Sequence, residues 1–220
     1  MKKIEVIQNI LQANNATAES NRAILDRNGC AAINIMSAPG AGKTSVILRT
    51  LELLRPDFRV AVVEGDVAST VDAEMVRDAS DAVVQINTKS MPETCALIAD
   101  MMDAALKKLP LSELDLVIIE NVGNLICPSE FDLGENLKIV ISSSPEGDDK
   151  PLKYPLIFAD ADAVIINKSD LFPYVDFDRE KFKRSVRDIN ARAPFFELSC
   201  KTGAGVTEWV DWLRRQLPGK

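Results

Sequence analysis

The sequence predicts an α/β fold, a mostly parallel central sheet with helices on both faces. Three observations point there. Short apolar runs recur along the chain, as strands buried on both faces require. Segments with helical periodicity lie between several of them, the alternation that covers such a sheet. The chain has 220 residues, 46% apolar and 27% charged, enough for one domain with a full core and short for two.

Taken in order, residues 3–28 read as a helix, because Ile4, Ile7, Ile10 and Leu11 form a stripe on an otherwise polar segment. Cys30–Met36 (CAAINIM) reads as a buried strand. A glycine-rich turn follows, then Val46, Ile47, Leu48 and Leu51 at helical spacing. Further strands are expected at Val60–Val63, Ala82–Ile86, Leu116–Ile119, Ile139–Ile141 and Ala163–Ile166, with one more before residue 198. Val206–Leu217 reads as an amphipathic closing helix in which Trp209 and Trp212 pack against the domain. The organisation expected is an N-terminal helix, 1–28, on a P-loop domain, 29–220, in one globular unit.

Composition narrows the function. A net charge of −7 argues against a nucleic-acid partner. No apolar run reaches membrane-spanning length, and the start turns polar too early for a signal peptide. The four cysteines, Cys30, Cys95, Cys127 and Cys200, show no disulfide-type spacing, so they read as thiols of a cytoplasmic protein. There is no histidine, which excludes a histidine base or metal ligand in this chain.

The stretch SAPGAGKT, residues 37–44, carries the first chemistry. A strand, a glycine turn and a helix opening with Lys-Thr are the context of a P-loop. Gly40, Ala41 and Gly42 let the backbone wrap phosphate, and N–H groups there and at Ser45 point at the anion. Lys43 reaches the outer phosphates and Thr44 is a Mg²⁺ ligand. Ser37, where such loops commonly start with glycine, is small enough to be tolerated. Mg²⁺ also needs a strand-end carboxylate; Asp66 and Glu120 are the candidates, and both double as catalytic residues beside Lys43.

VIINKSD, residues 164–170, selects the base. Asp170 can accept from guanine N1–H and N2–H₂, a donor pair adenine lacks, and Asn167 and Lys168 precede it. Ser199, Cys200 and Lys201, in LSCKTGAG, form a second base-contacting loop. The nucleotide is therefore GTP, and an ATP-dependent kinase is disfavoured. With no glutamine or histidine to position water, Asp66, Glu120 or Asp72 remains for that role, and slow turnover is expected.

These motifs, with IIENVGNLICPSEFDLGE, EGDDKPLKYPLIF and INKSDLFPYVDFD, resemble the hydrogenase nickel-insertion GTPase, the HypB family, over nearly the whole chain. The resemblance implies a dimeric SIMIBI-type GTPase, related to the urease accessory GTPase. Such a protein dimerises on GTP and couples nucleotide state to metal delivery into a metalloenzyme precursor or exchange with a zinc- or nickel-binding accessory protein. It implies that Lys153 reaches the partner's guanine, and that Cys127 is a ligand for Ni²⁺ or Zn²⁺ at the dimer interface.

One segment departs from that family. Where it carries Gly-Cys-His and a second His, this chain reads INTKSMPETCALIADMM. A gapless alignment puts Pro92, Glu93 and Leu97 at the ligand places and leaves Cys95 about three residues away. If 92–102 is helical, that shift is about 5 Å along the axis. Cys127 and Cys95, with Met91 or Glu93, then remain as a soft-metal donor set. Two functions stay open: a GTPase metallochaperone, or a GTP-gated dimerisation switch without its own metal.

Overall fold

The apolar runs become strands because their β-branched and small side chains pack on both faces of one sheet. The structure is a computed structural model and describes residues 2–65, 70–87 and 95–218. In chain order the elements are α1 (Lys2–Arg27), β1 (Ala31–Ser37), α2 (Lys43–Leu54), β2 (Val60–Glu64), α3 (Thr70–Ala79), β3 (Ala82–Gln85) and α4 (Ala99–Leu106). Then come β4 (Leu116–Glu120), β5 (Leu137–Ser143), α5 (Lys150–Lys153), α6 (Pro155–Ala159), β6 (Ala163–Asn167), α7 (Arg179–Ile189), β7 (Phe195–Glu197) and α8 (Val206–Gln216). Asp66, Met91, Pro92 and Glu93 lie outside the described residues, as does the side chain of Asp72.

The sheet has seven strands in the order β3-β2-β4-β1-β5-β6-β7, and each pairing is parallel. β1 is central. Its alternate residues divide the core: Ile33 and Ile35 face a cluster with Ile47, Leu51 and Trp209 of α2 and α8, while Ala32 faces Leu25 of α1 and Met102 of α4. A third cluster joins Met36 to Phe158 and Phe182 of α6 and α7. Both faces are thus covered, as an all-parallel sheet needs. Trp209 is fully buried, its Nε1–H donates to Thr50 Oγ1 at 2.9 Å, and Trp212 stacks on it. Among the described residues no helix is long and apolar enough to cross a membrane.

Residues 95–98 correct the reading of a helix over 92–102. The helix begins only at Ala99, and Ile98 is extended, with φ −122° and ψ 162°. The Leu97 N–H is directed to the side chain of Asn121, so this segment is held by tertiary contacts rather than a helical ladder.

Candidate functional site

Because every strand runs the same way, β1, β2, β4, β6 and β7 deliver the residues that follow them to one edge of the sheet. Ligands of such folds bind in this crevice. The turn after β1 is shaped by glycine. Gly40 has φ +78° and Gly42 φ +96°, a region where side chains with a Cβ are strained. A Cβ on Gly42 would also lie 2.5 Å from Asn167 Nδ2. Lys43, the first residue of α2, is buried at 6% exposure, and its Nζ donates to Ser37 Oγ at 3.5 Å. Ser37 is therefore part of the loop's own bonding, since its hydroxyl also donates to the Ala38 carbonyl at 2.7 Å.

The base-side residues brace this loop directly. Asn167 Nδ2 donates to the Ala41 carbonyl at 2.9 Å, and Lys168 Nζ donates to the Gly40 carbonyl at 2.7 Å. Lys168 adopts φ +58°, alone among the described non-glycine residues in having a positive φ. This left-handed turn lets its N–H donate to Asn167 Oδ1 at 2.7 Å while its carbonyl accepts from Ser144 Oγ at 2.8 Å. Ser199 Oγ donates to Asp170 Oδ1 at 2.6 Å and orients that carboxylate. A cleft of about 690 Å³ opens here, lined by Gly42, Ser45, Asn167, Lys168, Asp170, Cys200 and Lys201 among others. Burial pushes the Cys200 thiol up to about 11, so it stays protonated at neutral pH and is no thiolate nucleophile.

On the other side of the loop, Thr44 Oγ1 donates to Glu120 Oε1 at 2.8 Å. A hydroxyl and a carboxylate in contact beside a phosphate loop are hard oxygen donors of the kind Mg²⁺ takes. Glu64, buried at the end of β2, is the register partner of Glu120. Lys153 ends α5, exposed, in an ion pair with Asp149 at 2.5 Å, and that bond raises its pKa.

The structure brings Cys95 and Cys127 together. They are joined as a disulfide, with Cα atoms 5.9 Å apart. This corrects the expectation of four unpaired thiols: spacing along the chain carries no signal for a pair 32 residues apart that meets through the folding of two loops. Cys30 and Cys200 are the free cysteines. Asn124 Nδ2 donates to Cys127 Sγ at 3.3 Å and to the Cys95 carbonyl at 3.4 Å. Among the described residues no cluster of three or more cysteine, aspartate or glutamate side chains is placed to hold a metal ion.

Sequence comparison agrees with this geometry. The profile of the CobW/HypB/UreG nucleotide-binding domain matches residues 31–197. The hydrogenase maturation factor HypB of Escherichia coli K12 is 40% identical over 215 residues, covering 98% of this chain and 73% of that protein. This chain belongs to the HypB family. Two crystal structures of the family superpose on it. HypB from Archaeoglobus fulgidus is 45% identical with a TM-score of 0.87, covering 93% of this chain and 98% of the other. HypB from Helicobacter pylori in complex with nickel is 36% identical with a TM-score of 0.86, covering 93% and 94%. The fold is that of a P-loop NTPase of the SIMIBI type.

Sequence reasoning missed the family segment's asparagines. Asn121 and Asn124 lie in IIENVGNLIC, the stretch most specific to the family, but the residue types alone do not say which side chains point inward. It also missed Glu64, which EGD offered beside Asp66.

Proposed function

We propose that this chain is a GTP-hydrolysing maturation factor that handles nickel for a metalloenzyme such as a [NiFe]-hydrogenase. The observation that carries the reading is a phosphate loop whose Thr44 donates to Glu120 at the end of β4, with a cysteine pair tied to the loop that follows that strand. The names of its relatives support the same reading. In this reading residues 29–220 are the GTPase domain, working in the cytoplasm, and the N-terminal helix is an appendage of the same unit.

The backbone N–H groups of Gly40 to Ser45 and the Lys43 ammonium stabilise the charge on the phosphoryl oxygens, the main source of rate in such transfers. Thr44 and Glu120, with Asp66, would hold Mg²⁺, and the ion would supply charge neutralisation at the outer phosphates. Glu120 or Asp66 orients the attacking water, and without glutamine or histidine there the turnover is slow. Asp170, held by Ser199, accepts from the guanine N1–H and N2–H₂, while Asn167 and Lys168 tie the base side to the loop. Cys200 and Lys201 line the base cleft.

GTP binding assembles a homodimer in which Lys153 contacts the partner's guanine. One protomer then offers two thiolates, Cys95 and Cys127, once a dithiol reductant has exchanged with their bond, taking it to two thiols and leaving as its own disulfide. A two-fold axis brings four, the number that a tetrahedral sulphur site for Zn²⁺ or a square-planar one for Ni²⁺ would take. The metal passes to or from an enzyme precursor or an accessory protein. The second reading, a GTP-gated dimerisation switch without its own metal, is favoured by one observation: the two thiols are bonded to each other.

Titration of the reduced protein with Ni²⁺ and Zn²⁺, with GDP and with a non-hydrolysable GTP analogue, separates the two. Tight binding that varies with nucleotide and disappears in Cys127→Ala and Cys95→Ala is the expected result. GTP-dependent dimerisation without metal binding would sink the metal-delivery reading and leave the switch.

A further inference from the structure

We infer that Asn121 is a positioning residue that transmits the state of the nucleotide loop to the Cys95–Cys127 pair. The inference rests on the proposed GTPase and metal-handling reading and names the group through which that coupling runs. Asn121 is fully buried and directly follows Glu120, the carboxylate that accepts from Thr44 at the phosphate loop. Its backbone N–H donates to the Ile35 carbonyl of β1, two residues before the loop begins, at 3.0 Å. Its side-chain oxygen accepts from the Leu97 N–H at 3.2 Å and the Val122 N–H at 2.9 Å. Its amide donates to Asn34 Oδ1 on β1 at 3.2 Å. One carboxamide therefore holds β1, the segment after β4 that leads to Cys127, and the segment that carries Cys95.

Packing adds a second link to each cysteine segment. Leu97, two residues beyond Cys95 and fully buried, rests on Gly65 at the end of β2, where an added Cβ would lie 2.5 Å from Leu97 Cδ1. Gly123, between Asn121 and Cys127, sits against Pro39 of the phosphate loop, where a Cβ would come within 3.2 Å of Pro39 Cα. The Cys95 segment thus packs on the end of β2 and the Cys127 segment on the phosphate loop, and Asn121 joins them. A carboxamide suits this position because it accepts from two N–H groups and donates in the same side chain, which an aspartate or an alanine cannot do. A buried polar group of this kind holds one arrangement over close alternatives when every bond is made.

The experiment uses the reduced full-length protein. Cys95 and Cys127 are labelled with an aromatic disulfide reagent, and mass mapping separates them from Cys30 and Cys200. Rates are compared with GDP and with a non-hydrolysable GTP analogue, Mg²⁺ present in both. In the wild-type protein the two rates should differ about fivefold or more, the usual lower range of site-to-site coupling. In Asn121→Ala the two rates should converge while the protein still binds both nucleotides. Asn121→Asp keeps the acceptors and loses the donor to Asn34, so it should retain part of the difference. A wild-type ratio of one, or an Asn121→Ala ratio equal to wild type, overturns the inference.

Should Asn121→Ala fail to fold, hydrogen exchange at the Leu97 amide of the wild-type protein reports on the same bond. Protection that changes between the two nucleotide states supports the inference, and identical protection overturns it. Ni²⁺ titration of the same samples keeps the two ideas distinguishable. Metal binding with nucleotide-independent thiol rates keeps metal delivery and removes Asn121's role. Nucleotide-dependent rates without metal binding keep Asn121's role and remove metal delivery.

Discussion

At the phosphate and base end of the crevice, side chains brace neighbouring loops through backbone carbonyls: Asn167 to Ala41, Lys168 to Gly40, Ser144 to Lys168. At the thiol end the braces are asparagine side chains. Asn121 and Asn124 hold the two cysteine segments, and Asn14 and Asn21 of α1 secure the start of α4 through the Ala99 N–H and carbonyl. The first end is assembled from contiguous motifs, each of which already has its local shape. The second exists only where distant segments meet. The contrast implies that changes at the first end should disable nucleotide chemistry locally, whereas changes at the second should leave GTP binding intact and alter what is done with it.

The largest effect that would sharpen this contrast is expected from Lys43→Ala. Removing a buried ammonium from the phosphate loop should lower GTP turnover by at least about a hundredfold, measured by phosphate release. Metal binding by the reduced cysteines should persist with GDP. A wild-type rate would remove the nucleotide assignment. Asp170→Asn follows. In the proposed reading Asp170 accepts from both guanine donors, so its loss should weaken GTP by about 1.5–3 kcal/mol, roughly tenfold to a hundredfold in Kd, and relax selection against xanthosine triphosphate. Unchanged selectivity would show that Asp170 does not read the base.

Gly42→Ala should come next. It forces a Cβ into φ +96° and against Asn167, at a strain of about 1–3 kcal/mol, visible as a lower Tm and weaker nucleotide binding. The thiol end has its counterpart in Gly65→Ala, which pushes on Leu97. That variant should change the labelling rate of reduced Cys95 more than it changes GTP affinity, and the reverse outcome would break the comparison.

Two smaller effects complete the series. The Cys200 thiol is raised from 9.0 to about 11 by burial. A thiol whose folded pKa is raised contributes stability fully present below pH 9 and lost as pH climbs toward 11. Thermal melts of wild type and Cys200→Ser across pH 8 to 11 should therefore converge as the pH rises. Lys153→Ala should leave the Tm of the monomer unchanged, because its ion pair with Asp149 lies at the surface. Its expected effect is on GTP-dependent dimerisation, measured by light scattering.

Much of the nucleotide end was legible in the sequence because its chemistry is local. Gly40, Gly42, Lys43 and Thr44 follow one buried strand and Asp170 follows another, so spacing within each motif sets the approximate geometry. Trp209 and Trp212 were likewise readable as packing, since helical spacing puts both on one face. The helix expected over 92–102 was not, because the Leu97 N–H finds a side-chain partner 24 residues away and the ladder starts later. The grouping of Cys95 with Cys127 was readable, but their bond was not, since spacing along the chain carries no signal for a pair that meets through two loops.

The residue order by itself determined the alternation of strand and helix, the burial of β1 and the residue types offered by the phosphate loop. Each depends on periodicity or on groups a few bonds apart. Only the tertiary structure decided that Ser37 hydrogen-bonds with Lys43, that Asn167 and Lys168 brace the phosphate loop, and that Cys95 meets Cys127 under the hold of Asn121 and Asn124. Those contacts join segments brought together by packing seven parallel strands. Their partners are chosen by the register and cover of the sheet, which no short window of sequence contains.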